Sequence, residues 1–132
     1  MSLVQFHAGL SNACLIFSLL IAGYAFLRYL QGQGVDGSFL GVVAVGELLY
    51  VAQVVVGAAL AFSGVPQPAR LWVHILYGVV LIIMYPATYA FTRGRDGRQE
   101  VLTYAVVALF LAGISLRAVA TAALVAPPGL GS

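Results

Sequence analysis

The sequence predicts an all-α protein, a single-domain integral membrane up-down four-helix bundle. Three observations carry this. Of 132 residues, 62% are hydrophobic and 8% charged, against about 45–50% and about 25% in soluble domains. The mean hydropathy is +1.03. The charges also gather in short connectors, leaving four apolar stretches, each near the roughly 20 residues needed to cross about 30 Å of hydrocarbon. This composition excludes a soluble enzyme, a nucleic-acid module, a disulfide scaffold and a disordered tail. A formal charge of +2 points to no polyanionic partner, so no nucleic acid is expected and the lipid bilayer is the first partner. Cys14 is the single cysteine, which excludes an intrachain disulfide or a cysteine metal cluster.

The spans follow from the positions of the charges. Nothing charged precedes Arg28, so the first span is expected at 4–27. It lacks a basic leading segment and exceeds the usual apolar length of a signal peptide, so it is read as a retained helix. Glu47 is the only charge between Asp36 and Arg70, placing the second span at 39–62. Residues 71–92 carry no Asp, Glu, Lys or Arg and form the third. Arg117 is the only charge after Glu100, and the fourth is expected at 101–125. The connectors 31–38 and 93–99 are rich in glycine and charge, and 63–68 holds two prolines. Each reads as a turn. Ser11, Ala13, Ser18, Ala22 and Gly23 on the first helix, and Gly57, Ala58 and Ala61 on the second, are small enough for close helix packing in lipid.

All the basic residues are arginine. Arg28, Arg93, Arg95 and Arg98 fall on the side shared by the first and third connectors, with Arg70 and Arg117 toward the other. Basic residues are retained on the cytoplasmic face. The expected location is therefore a prokaryotic cell (inner) membrane, crossed four times, with both termini on the non-cytoplasmic side.

The first helix ends Ala22-Gly-Tyr-Ala-Phe-Leu-Arg28 and the third Ala87-Thr-Tyr-Ala-Phe-Thr-Arg93. Two origins account for the match: residue types that suit any cytoplasmic interface, or a duplicated hairpin about an axis along the membrane normal.

His7 and His74 are the only histidines, each about one turn inside the start of an odd-numbered helix. Measured to the repeated Tyr-Ala-Phe segment, their positions differ by two residues, about 3 Å of rise. Both rings are thus expected at one depth, near enough to share an object between the helices. Imidazole ligates iron and other transition metals, and two from facing helices suit the axial positions of a haem. Gly78, four residues after His74, removes bulk where a porphyrin plane would rest. Arg70, a turn above His74, and Arg117 on the fourth helix are the expected partners of carboxylates at the aqueous edge. A histidine so placed also suits headgroups or a neighbouring carbonyl, and Arg117 also suits a lipid phosphate. A two-histidine metal site without porphyrin lacks a third ligand.

Phe6-His7-Ala-Gly-Leu10, Gln53-Val-Val-Val-Gly57 and Val73-His74 resemble one four-helix half of haem A synthase, over most of residues 4–125. That resemblance implies a helical bundle with His7 and His74 as axial ligands of a haem b, and Gln53 and Gly57 packed beside them. Full members of the family have two such halves and an acidic residue one turn before the first histidine. Here that position is Val4, so the haem-modifying activity is not carried over. The expectation is an electron-transfer or accessory subunit of a bioenergetic membrane complex rather than a stand-alone catalyst. Its alternative is a haem-free accessory subunit of a respiratory or photosynthetic complex.

Glu47 lies about two turns inside the second span. An intramembrane carboxylate serves a proton relay, a quinone or a partner's arginine. The plainer reading, preferred here, is a hydrogen bond to Tyr24, Tyr50, Tyr85 or Tyr104, or an ion pair with Arg28.

Overall fold

The computed structural model describes residues 2–64, 68 and 70–123, with side chains through 120. Four helices fill it: α1 (Leu3–Leu30), α2 (Gly37–Ala61), α3 (Leu71–Thr92) and α4 (Arg98–Ala123). All are long and apolar enough to span a membrane. The shortest, at 22 residues, measures about 33 Å at 1.5 Å per residue. Each helix lies against its chain neighbours and α1 closes the ring on α4; the α1–α4 contact is the most extensive and α2–α3 the least. The result is the up-down bundle expected from short connectors.

Local chemistry sets the helix ends. Ser2 caps α1 in a capping box: its hydroxyl accepts from Gln5 N at 3.1 Å, and its own N–H donates to Gln5 Oε1 at 3.0 Å. Asp36 caps α2, accepting from Phe39 N at 2.8 Å. α3 ends on Arg93 and Gly94, both left-handed at φ 53° and 70°. α1 runs three residues past its expected end, because Arg28 satisfies itself locally. Its guanidinium donates to Gly34 O at 2.9 and 2.6 Å and pairs with Asp36 at 3.3 Å. α4 begins at Arg98 rather than 101, its Nε donating to Tyr29 O at 2.6 Å. The last residues of the expected fourth span lie outside the described ones.

The first and third connectors meet at one end of the bundle. Val35 N donates to Asp96 O at 2.9 Å, and a Cβ on Gly34 would collide with that same carbonyl. Arg98 stacks 4.0 Å over the Tyr29 ring. Arg28, Arg93, Arg95 and Arg98 therefore gather at this arginine end, and both histidines lie toward the other.

The core is dense near the arginine end. Ile21, Ala25, Phe39, Val101, Ala108 and Leu111 are fully buried, and Phe39 lies between the rings of Tyr24 and Tyr104 at 5.6 and 5.4 Å. The outward faces carry Leu20, Leu48, Val106 and Leu109, all exposed, which suits a lipid solvent in which backbone groups must pair within each helix. Close approach of α1 and α2 depends on Gly46, whose Cβ would come 2.7 Å from Ile21 Cδ1. Of the small residues expected to allow close helix packing, Ser18 is buried, while Gly23, Ala58 and Ala61 are exposed.

Candidate functional site

A cavity of about 450 Å³ occupies the histidine half of the bundle, within the roughly 300–1,000 Å³ of typical ligand sites. All four helices line it, with His7 and Ser11 of α1, Tyr50 and Gln53 of α2, His74 of α3 and Ser115 of α4 as its polar side chains. Alternating direction brings the first halves of α1 and α3 to the same end as the second halves of α2 and α4, so sequence-distant residues meet.

The two imidazoles stand together. Their ring centres are 6.3 Å apart and their planes 69° apart. A metal between two imidazoles sits about 2 Å from each nitrogen. With about 1 Å more from nitrogen to ring centre on each side, the centres fall about 6 Å apart, so the observed spacing fits a shared metal. The angle does not obstruct this, since each ring can turn about its own metal bond.

His7 is seated against Gly57: a Cβ there would come 3.1 Å from His7 Cε1. The neighbours tie down its backbone, because Gln53 Nε2 donates to Ser11 Oγ at 2.5 Å and that hydroxyl donates to His7 O at 3.2 Å. His7 Nδ1 and Gln53 Oε1 are buried without a hydrogen-bond partner. Unsatisfied buried polar atoms are costly, and both residues line the cavity. His74 is half-buried and hydrogen-bonded to the backbone of Ala118. A ring N–H held by a carbonyl is the usual support of a metal-ligating imidazole, since it sets the tautomer and the ring's orientation. Among the described residues no group of three His, Cys, Asp or Glu is placed to hold a metal ion. On ring spacing and the seat at Gly57, the two imidazoles fit the iron of a haem.

Gly78 lines the cavity as expected, with Val54 Cγ2 3.6 Å from where its Cβ would stand. The arginines are placed differently. Arg70 is exposed at the start of α3, flanked by Pro68 and Leu71 of the cavity rim. Arg117 is exposed on the outward face of α4, while Ser115 and Ala118 on either side of it line the cavity. A helix turns about 100° per residue, so neighbours in sequence face different ways. Neither arginine is among the lining residues.

Sequence reasoning missed the floor of the site. The Tyr50 hydroxyl bonds Ser18 Oγ on α1 and Ser115 Oγ on α4, the latter at 3.2 Å, and Ser115 also donates to Leu111 O at 2.8 Å. Ser18, Tyr50 and Ser115 are at most 5% exposed. Their shared mid-span depth was the available signal.

Glu47 is not satisfied in the way expected. Arg28 is engaged by Gly34 and Asp36, and Glu47 Oε2 is buried with no hydrogen-bond partner. Compared with protein-family models, curated proteins and solved structures, the chain finds no match.

Proposed function

We propose that this chain is a small integral membrane b-type haem-binding protein, or a subunit of that kind, taking part in membrane electron transfer. The observation that carries the reading is the imidazole pair, His7 and His74, with ring centres 6.3 Å apart at a membrane-embedded cavity. In this reading His7 and His74 would hold the haem iron. A haem held there supplies a one-electron couple within the hydrocarbon.

The chain's own residues hold, orient and insulate. Ala118 fixes the His74 ring through its hydrogen bond. Gly57 seats the His7 ring, and Gly78 keeps the facing wall low. Arg70 at the rim is the cation for carboxylates at the aqueous edge. The lining is otherwise mostly apolar, which excludes water and, with the ligand identity, tunes the potential. Other membrane subunits of a bioenergetic complex are the expected electron partners. The arginine end faces the cytoplasm of a prokaryotic cell and both termini face away from it, following the positive-inside rule.

A reduced-minus-oxidised visible spectrum of the detergent-purified protein, with its haem-to-protein ratio, tests the reading. About one haem per chain with bis-imidazole bands is expected, and His7→Ala and His74→Ala should insert normally but lose the pigment. A colourless protein expressed with ample haem, or full pigment in both variants, would overturn it.

A further inference from the structure

α1 turns Cys14, Ser18, Ile21 and Ala25 into the bundle, where they are buried, and it packs only against α2 and α4 among the described residues. At about 100° per residue, its other side carries Gly9, Asn12, Ile16, Leu19, Gly23 and Phe26, all exposed. Their spacing alternates between three and four residues, the repeat that keeps one seam of a helix turned toward a partner helix.

Asn12 does not suit a face that meets only lipid. It lies between four and five residues from the midpoint of α1, about 7 Å along the axis. That depth is well inside a hydrocarbon layer about 30 Å thick. Other polar side chains on the spans close on their own helix: Ser11 donates to His7 O, Thr88 to Met84 O and Thr103 to Gln99 O. The Asn12 amide makes no hydrogen bond among the described residues, and it is too short to reach the headgroups as an arginine does. Its donors and its acceptor are thus left in a solvent that cannot pair them. Gly9 and Gly23 lie on the same face, and a Cβ at either would meet nothing within 4 Å. Nothing inside the chain requires glycine there, although glycine weakens a helix interior. A second backbone could come close at both points.

We propose that this face of α1 is the contact surface of a symmetric homodimer, with a second copy of the chain packed parallel against it and the two Asn12 amides hydrogen-bonded to each other. Symmetry and chemistry select a second copy as the occupant. All copies cross the bilayer in one sense, so the two-fold axis stands along the membrane normal and each residue meets its counterpart at equal depth. An amide holds both donors and an acceptor, so it is complementary to itself. No charged side chain precedes Arg28, so nothing on the span repels the copy. His7 lines the cavity on the inner side of α1, and the contact is independent of haem.

Energy transfer between donor- and acceptor-labelled copies of the full chain, in phosphatidylcholine vesicles over a range of protein-to-lipid ratios, tests the proposal. Transfer that saturates at the level of a dimer is expected. Asn12→Leu should weaken association about ten-fold, the scale of an interhelical polar contact in lipid. Asn12→Gln, which keeps donors and acceptor, should stay within a few-fold of the parent. Gly9→Ile and Gly23→Ile should weaken it too, whereas Gly113→Ile, at an equally open glycine of α4, should not. These positions face away from the bundle, so each variant should keep the parent's helix content. On oxidation Ile16→Cys should give disulfide-linked dimers. Leu48→Cys, exposed on α2, and the parent, whose Cys14 is buried, should not. A monomer at every protein-to-lipid ratio, parental association in Asn12→Leu, or cross-linking through Leu48→Cys in place of Ile16→Cys would overturn the proposal.

Discussion

The two halves of this bundle are built from the same four helices and differ in what fills them. Near the arginine end, Phe39, Tyr104, Ile21, Val101 and Leu111 interdigitate with almost no exposure, and hydrogen bonds join the connectors. Near the histidine end the same helices enclose a 450 Å³ cavity edged by exposed Ala58, Ala61, Ile75 and Val79. In lipid no hydrophobic drive separates inside from outside, so packing and hydrogen bonds hold helices together. One half supplies that cohesion, and the other leaves a cavity among the helices. The polar belt of Ser18, Tyr50 and Ser115 marks the boundary.

Substitutions can sharpen or break this division of labour. The largest stability loss is expected from Phe39→Ala, which removes a ring from between Tyr24 and Tyr104. A cavity of that kind costs about 3 kcal/mol, measurable by reversible denaturation in mixed micelles, with ligand binding at the histidine end retained. Gly34→Ala should follow, because its Cβ meets the Asp96 carbonyl and the connectors must part. About 1–3 kcal/mol is expected, together with faster proteolysis at 31–36 and 93–97. Tyr50→Phe should cost about 1 kcal/mol, the scale of an interhelical hydrogen bond in lipid, and should affect both halves. Gly57→Ala should change stability by less than about 1 kcal/mol. Its Cβ would stand 3.1 Å from His7, so the ring must shift and, under the proposed haem ligation, the pigment's spectrum with it. Gly78→Ala, with 3.6 Å to Val54, is the matched control and should leave stability unchanged. If Phe39→Ala abolished pigment binding, or Gly57→Ala unfolded the chain, the halves would not be separable as described.

Much of the candidate site was legible in advance. His7 and His74 were placed at one depth by counting residues to a repeated segment, and the structure sets their rings side by side. Gly57, expected beside the pair from the family resemblance, is the seat of His7. Arg117 shows where counting stops. Its depth could be counted along the helix, but its azimuth depends on how α4 rotates against α1 and α3. That rotation directs Ser115 and Ala118 inward and leaves Arg117 outside. Glu47 shows the same limit, since four tyrosines and an arginine were within reach on paper and Arg28 closed instead on its own connector.

The sequence by itself determined that there are four membrane-length helices, that their directions alternate, and at what depth each polar residue lies. Those properties are one-dimensional: hydropathy, connector length and rise per residue suffice. Only the tertiary structure decided which faces meet. A helix that is apolar on every side has no polar stripe to tell its inner face from its outer one. The contacts come instead from local shape: Gly46 against Ile21 and Gly57 against His7. Those contacts leave one cavity behind the histidines and a smaller one behind Glu47.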